Sequence, residues 1–192
     1  MEKEFVIGIS GASGIIYAHR MLEILTRSAQ VHLIISDAAR IIASVEGVEL
    51  EGFDACYYSN DMLTAKIASG SFRHDGMAIV PCSMKTLASI AAGISESLIT
   101  RVADVSLKER RRCILLLREM PFNRIHLRNM LDANDAGATI MVASPGFYHR
   151  PEQISDLVDM VVARILNHLG VNHDLEVGWE GMDEGAHRST EK

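Results

Sequence analysis

Cysteine and long apolar segments are both scarce in this chain. Its 192 residues include three cysteines, Cys56, Cys82 and Cys113, and these form no C-x-x-C pair. An odd, widely spaced set is typical of a protein in a reducing cytoplasm rather than of a disulfide framework. No apolar run reaches the roughly 18 residues of a membrane span, and the start M-E-K-E lacks the features of a signal peptide. We therefore expect a cytoplasmic protein that does not span a membrane.

A surplus of positive charge and a metal-binding pattern are also missing. The 19 Lys and Arg residues are outnumbered by 25 Asp and Glu, and the resulting net charge of -6 argues against general nucleic-acid binding. The histidines include no pair at metal-ligand spacing, so we expect no metal site.

Length and composition favour one globular domain with its own core. Hydrophobic residues make up 48% of the chain and charged residues 23%. We expect residues 1–170 to form this domain and residues 171–192 to form an acidic tail. The tail contains Trp179, and a tryptophan in such a tail often packs on a neighbouring subunit.

Apolar segments and helical patterns alternate along the chain. The patterns predict strands over residues 5–10, 30–35, 76–80, 113–117 and 138–143, with Pro81 ending the third. They predict helices over residues 15–27, 37–45, 82–92, 95–108, 123–134 and 151–169. Residues 47–71 have no regular pattern and suggest a lid or a peripheral connection. This alternation predicts an α/β protein with a Rossmann-like three-layer αβα fold and a mostly parallel sheet.

The turn G-I-S-G-A-S-G, residues 8–14, joins the first predicted strand to the first helix and is called the glycine turn below. Backbone amides at such a helix start can bind a phosphate, and the hydroxyls of Ser10 and Ser13 stand where they can face a ligand. The spacing differs from G-x-G-x-x-G, so a purely structural tight turn is an equally good interpretation.

Other predicted strands also end in polar or small residues. Ser36 lies at a helix N-cap, Cys82 to Thr86 form a second strand-to-helix turn, and Arg118 and Glu119 follow a buried strand. Because the carboxyl ends of parallel strands meet at one edge, these turns suit a nucleotide monophosphate with a flat ring. FMN is the ligand that this pattern favours.

Three basic residues have two interpretations each. Arg101 and Lys108 are two helical turns apart, so both can face one ligand, although a solvated basic face is the simpler alternative. Arg164 lies beside the apolar stripe of the last helix, where it either binds a phosphate or forms an ion pair.

Several motifs occur in one unbroken order between residues 5 and 170. They are G-I-S-G-A-S-G, P-C-S-M-K-T-L-A, L-L-R-E-M-P-F, I-H-L-R-N-M, S-P-G-F-Y-H-R-P and L-V-D-M-V-V-A-R-I-L. Together they closely resemble the UbiX flavin prenyltransferase family, whose members were formerly called aromatic acid decarboxylases. The resemblance implies a flavoprotein domain over residues 1–170 in a homo-oligomer, usually a dodecamer.

The implied reaction joins a dimethylallyl group from dimethylallyl monophosphate to N5 and C6 of reduced FMN, without a metal. The product, prenylated FMN, serves UbiD-type decarboxylases. By motif, the FMN-binding positions are Gly11, Ala12, Ser13, Ser36, Ser83, Met84, Lys85, Thr86 and Arg118. The prenyl-phosphate positions are Tyr148 and Arg164, and Arg101, Lys108 and Glu119 resemble further charged residues of that pocket.

The reaction releases a phosphate and requires removal of a proton. Arg101, Lys108, Arg118, Tyr148 and Arg164 are expected to hold the phosphate. Glu119 or the departing phosphate is expected to accept the proton, with Ser13 holding N5 or the phosphate. Glu46 is either a further acidic residue of the pocket or an exposed glutamate at a helix end.

Two other functions remain open from the sequence. One is a flavin-dependent cysteine decarboxylase of the same superfamily, although P-C-S-M-K-T-L-A stands where those enzymes carry P-x-M-N-x-x-M-W. The other is a non-catalytic carrier that hands FMN to a partner decarboxylase.

Overall fold

Six short segments form one parallel sheet in the computed structural model, which describes residues 3–175. The strands are β1 Lys3–Ile9, β2 Ala29–Ile35, β3 Cys56–Ser59, β4 Gly76–Cys82, β5 Cys113–Leu117 and β6 Thr139–Val142. They lie in the order β3-β2-β1-β4-β5-β6, and each recorded strand pair is parallel. Every residue of β4 and β5 is buried, which explains why central strands have continuous apolar runs.

Helices cover both faces of this sheet. They are α1 Ile15–Leu25, α2 Asp37–Glu46, α3 Met84–Ala91, α4 Leu98–Lys108, α5 Arg124–Asp135 and α6 Ile154–Leu169. Apolar residues of α1, α2 and α6 join one core, and those of α3, α4 and α5 join the core on the other face. The predicted three-layer αβα fold is therefore confirmed. Within residues 3–175, no helix is both long and apolar enough to cross a membrane.

The strand order reverses between β1 and β4. The chain runs outward from β1 to β3, then returns to the other side of β1 and runs outward again to β6. The turns after β1 and β4 consequently start on opposite faces of the sheet at neighbouring strands. In open α/β sheets this reversal point is where ligands bind.

The segment 47–71 contains a strand that the sequence did not predict. Strand β3 has four residues, of which only Tyr58 is not exposed, and it pairs with β2 alone at the edge of the sheet. A short, exposed edge strand lacks the apolar run by which the other strands were recognised.

Two predicted boundaries near the centre of the chain are wrong. Pro81 does not end β4, which continues to Cys82, because the pairing with β5 is irregular between Ile79 and Cys82. Proline has no backbone N–H, and at this irregularity no regular hydrogen bond between the strands requires one. Helix α4 begins at Leu98 instead of residue 95, because Ser97 forms the N-cap.

The proposed end of the domain at residue 170 stays a prediction. Val171 is 7% exposed and belongs to the core beside α6, and Leu175 packs on the same core. Trp179 and the rest of the predicted tail lie outside the described residues.

Gly11 lies against the start of α2 with no room for a side chain. A Cβ atom at Gly11 would lie 2.5 Å from the Cβ of Ala38, which is the end of a short, rigid side chain. The close contact fixes the distance between the glycine turn and α2.

Gly11→Ala should therefore lower the free energy of unfolding by about 1–3 kcal/mol, because the turn or the helix must move to admit the methyl group. Urea denaturation measures this change. Ser13→Ala is a matched control, because Ser13 is exposed in the same turn and should change stability by less than about 0.5 kcal/mol. Equal stability of the Gly11 variant and the wild type would show that the turn has more room than its contacts indicate.

Candidate functional site

A cavity of about 520 Å³ lies over the carboxyl ends of the strands, and we call it the larger cavity to distinguish it from one of about 330 Å³ between β6 and α6. It is lined by the turns that follow β1 to β5 and by the start of α4. The lining residues are Ser10, Gly11, Ser36, Ala38, Asn60, Ser83, Met84, Lys85, Thr86, Ser89, Glu96, Ser97, Ile99, Thr100 and Glu119. The predicted FMN positions at Gly11, Ser36 and 83–86 are thereby brought together.

Ser10 ties the end of β1 to the end of β4. Its side chain is 3% exposed, and its hydroxyl donates to the Pro81 carbonyl oxygen at 3.1 Å. The same hydroxyl accepts from the Ser83 amide at 2.8 Å. Both bonds are internal, so the hydroxyl holds the two strand ends together, and a contact between Ser10 and a ligand in the cavity that it lines stays a prediction.

The start of α1 already holds a carboxylate. Glu46, at the end of α2, accepts a hydrogen bond from the Gly14 amide through Oε1 and one from the Ile15 amide through Oε2, each at 2.9 Å. The anion at the start of α1 is thus a side chain of the same chain, and binding of a phosphate by the glycine turn stays a prediction. Glu46 is half-buried and hydrogen-bonded at the turn, so it is not an exposed glutamate at a helix end.

The start of α4 is also covered. The Leu98 amide donates to the Asn60 carbonyl oxygen at 2.7 Å, and the Ile99 amide donates to Asn60 Oδ1 at 3.1 Å. Ser97 Oγ accepts from the Thr100 amide at 3.3 Å, and Thr100 Oγ1 accepts from the Ser97 amide at 3.1 Å. No amide of this first turn is left for an external anion.

The starts of α2 and α3 remain open. Ser36 caps α2 by accepting from the Ala39 amide, and Ser83 caps α3 by accepting from the Thr86 amide, both at 3.2 Å. Within residues 3–175, the amides of residues 37, 38, 84 and 85 have no hydrogen-bond partner. Such amides, at the positive ends of helix dipoles, are suitable donors for a phosphate or for carbonyl oxygens.

Arg118 and Glu119 lie at the β5 side of the larger cavity. The Arg118 Nε donates to the Ser13 carbonyl oxygen at 3.1 Å, which links the end of β5 to the glycine turn. Glu119 lines the cavity and accepts from the Met120 amide at 3.0 Å. Ser13 and Ala12 lie beside the lining residue Gly11, and Ser13 is exposed. The candidate proton acceptor and the candidate serine are therefore on one side of the cavity.

Cys82 ends β4 immediately before Ser83 and is fully buried. Burial raises the pKa of its thiol far above the ordinary value, so the sulfur stays protonated at neutral pH. Cys82 is therefore a core residue beside the site, and it does not line the larger cavity.

Arg101 and Lys108 share one side of α4, as their spacing predicts, but that side faces the segment 66–70. Arg101 donates to the Ala68 carbonyl oxygen at 3.2 Å and to Asp104 at 3.0 Å. Lys108 pairs with Glu109 and lies beside Gly70. Neither residue lines the larger cavity.

Arg164 lines a different cavity of about 330 Å³ between β6 and α6, which we call the smaller cavity. Its guanidinium is exposed and has no partner among residues 3–175, so the alternative of an ion pair is not observed. Tyr148 lies in the loop that follows β6 and is 48% exposed. The two cavities share no lining residue, so one chain alone does not bring these two residues to the larger cavity.

Asn60 and Ser97 line the larger cavity but were not among the predicted site residues. Asn60 follows the unrecognised strand β3, whereas the pair Ser97 and Thr100 has the spacing of a capping box and was detectable. Among residues 3–175, no three His, Cys, Asp or Glu side chains are grouped so that they could hold a metal.

The chain is similar to known proteins over most of its length. The flavoprotein family model matches residues 1–166. The flavin prenyltransferase UbiX of Methanocaldococcus jannaschii is 45% identical over 180 residues, covering 92% of this chain and 98% of that protein. The chain belongs to the UbiX flavin prenyltransferase family.

Solved structures of UbiX-like proteins have the same fold over most of this chain. AnUbiX (PadA1), in complex with FMN and dimethylallyl pyrophosphate, has a TM-score of 0.86 and 37% identity, covering 94% of this chain and 100% of that chain. A dodecameric FMN-dependent UbiX-like decarboxylase from Escherichia coli O157:H7 has a TM-score of 0.88 and 38% identity, with coverages of 93% and 100%.

Glu46→Gln should lower the free energy of unfolding of this family member by about 0.5–2 kcal/mol. An amide has one oxygen for the two backbone donors and lacks the charge that interacts favourably with the start of α1. Chemical denaturation of the ligand-free protein measures the effect. Glu49→Gln, at a nearby exposed position, should leave stability within about 0.5 kcal/mol of the wild type. A loss of equal size in both variants would mean that general charge, and not the contact with the turn, is responsible.

Proposed function

We propose that this protein is a flavin prenyltransferase, which joins a dimethylallyl group from dimethylallyl monophosphate to N5 and C6 of reduced FMN. The observation that carries the proposal is the larger cavity, which combines open helix starts at α2 and α3 with Glu119 at its β5 side. The 45% identity to a flavin prenyltransferase over 92% of the chain supports the same activity.

The residues of the larger cavity fit FMN. The unpaired amides at the start of α2, beside Ser36, are donors for the phosphate. The unpaired amides of Met84 and Lys85 are donors for the oxygen atoms of the flavin ring. Glu119, the candidate proton acceptor, lines the same cavity and would be available to a flavin held there.

Bound reduced FMN supplies the electron-rich N5 and C6 atoms that receive the dimethylallyl carbons. The carbon–oxygen bond of the donor would break with its electron pair leaving on the phosphate, while N5 bonds to the allylic carbon and releases its proton. Ring closure would then follow protonation of the remaining double bond, which leaves a carbocation that bonds to C6 as C6 loses its proton. The Glu119 carboxylate is placed to accept the proton lost from C6, and the Ser13 hydroxyl is placed to hydrogen-bond N5 or the phosphate. Arg118 keeps the Ser13 backbone in place through its carbonyl oxygen.

The remaining clamp residues come to the larger cavity from other copies of the chain. Arg101, Lys108, Tyr148 and Arg164 carry the positive charges and the hydroxyl that a departing phosphate requires, yet they lie away from this cavity in a single chain. Exposed apolar side chains that follow β5 and β6 in the chain, including Met120, Phe147 and Ile154, are suitable for contacts between subunits. The dodecamer of the Escherichia coli relative supports a homo-oligomer, and we propose a dodecamer here.

Two further parts of the proposal concern the cell. Prenylated FMN would be consumed by a UbiD-type decarboxylase, and both proteins would be cytoplasmic. The three free cysteines, two of them buried, are suited to a reducing compartment.

The direct experiment incubates the protein with reduced FMN and dimethylallyl monophosphate without oxygen and then determines the mass of the flavin. The mass should rise by that of one dimethylallyl group less one hydrogen. Glu119→Gln should lower the rate by roughly 100-fold or more, because general acid–base catalysis typically contributes that much. An unchanged flavin mass with the wild-type protein would support a non-catalytic carrier and refute the prenyltransferase.

Mixed oligomers test whether the clamp is shared between copies. Arg164→Ala should still bind FMN but lose prenyl transfer, and Glu119→Gln should be inactive through its own defect. If each site takes Glu119 from one chain and Arg164 from another, co-assembly of the two variants restores about a quarter of the sites.

Recovered activity in the mixture, with neither variant active alone, is the expected result. The control is a mixture assembled from two separately purified oligomers that do not exchange subunits, which should stay inactive. No recovery after verified co-assembly would mean that both residues of a site belong to one chain.

A further inference from the structure

We propose that Asn60 is a further FMN-binding residue, whose amide group donates a hydrogen bond to the phosphate of FMN at the start of α2. The inference rests on the proposed function only in taking FMN as the ligand of the larger cavity. Asn60 belongs to residues 47–71, for which the sequence predicted only a lid or a peripheral connection.

Asn60 is a direct neighbour of the open helix start at α2. Strands β2 and β3 pair in parallel with Ile35 opposite Ser59, so Ser36 and Asn60 follow them at the same edge of the sheet. Adjacent strands are about 4.8 Å apart. Ser36 and Asn60 both line the larger cavity, with the unpaired amides of residues 37 and 38 next in the chain.

The contacts of Asn60 determine which way its amide group is turned. Its side-chain oxygen accepts from the Ile99 amide at 3.1 Å, and its backbone oxygen accepts from the Leu98 amide at 2.7 Å. Of the two ends of a side-chain amide, only the oxygen can accept a hydrogen bond from a backbone N–H. The oxygen of Asn60 is therefore directed to α4, and its NH₂ group lies on the other branch.

The NH₂ group of Asn60 has no partner among residues 3–175, although the residue is half-buried. An amide has two N–H donors, and those of Asn60 are free to bind a ligand in place of water. The residue lines the cavity, so a ligand with acceptor oxygens is the available partner.

The charge of the surrounding groups favours a phosphate as that ligand. Asn60 covers the positive end of α4, so the neighbouring positive end that remains for an anion is that of α2. A phosphate held there by the amides of residues 37 and 38 has further oxygen atoms that need donors. Asn60 supplies one from the adjacent strand.

Two variants separate the donor from the helix cap. Asn60→Ala removes the donor and the oxygen that caps α4 but adds no charge. Asn60→Asp keeps an oxygen for the Ile99 amide and removes the donor. Both should bind oxidised FMN roughly 10- to 100-fold more weakly than the wild type, as expected for a lost hydrogen bond to a charged group. Flavin fluorescence or calorimetry gives the dissociation constants.

Riboflavin, which has the same ring but no phosphate, shows which part of the flavin is contacted. Its affinity should change by less than about threefold in both variants, a shift of under 1 kcal/mol. Glu49→Gln, at an exposed position that does not line the cavity, is the control, since it removes no donor and should leave FMN binding unchanged. Urea denaturation of the ligand-free variants checks that each remains folded.

The proposal is overturned if either folded variant binds FMN within about twofold of the wild type. It is also overturned if riboflavin loses as much affinity as FMN, because the donor would then serve the ring. These measurements need no prenyl donor. A wild-type protein that binds FMN but fails to prenylate it therefore refutes the proposed function and leaves the role of Asn60 to be decided by binding.

Discussion

The hydroxyl of Ser10 is the contact on which the geometry of the site depends. It joins the Pro81 carbonyl and the Ser83 amide, and so it fastens the ends of β1 and β4 where the strand order reverses. The start of α3 and the glycine turn are thereby held at a constant separation. Gly11, in contact with Ala38, sets the distance from the turn to α2 in the same way. Two small residues thus determine where three helix starts lie.

Selection among helix starts explains how one cavity can bind a ligand in a single orientation. Four helices begin around the larger cavity, and each start is a possible anion site. The chain covers two of them with its own oxygen atoms, from Glu46 and Asn60, and leaves those of α2 and α3 open. A ligand with one phosphate and a polar ring edge then has separate places for both. Covering the unwanted starts achieves this without any additional positive charge.

The sequence predicted the layers of the fold well because the strands that form its centre are continuous apolar runs. It missed β3 because that strand is short and exposed, and with it the segment that carries Asn60. For the site, local patterns identified residues at strand ends, such as Ser36 and Ser83, whose neighbours in sequence are also their neighbours in space. Glu46 could not be placed in this way, because its partners Gly14 and Ile15 are 32 and 31 residues away along the chain. The separation of Arg164 from Glu119 was equally hidden, because the order of motifs along a chain does not show which of them line the same cavity.

The carboxylate of Glu46 has a consequence for the cost of binding. A glycine turn with unpaired amides would be mobile until a ligand arrived, and ordering it would then reduce the affinity. Because Glu46 satisfies two of these amides in advance, the turn is already in one conformation before flavin enters. Flavin therefore meets a preorganised wall, and the free energy of its contacts is available for affinity and for holding the reacting ring.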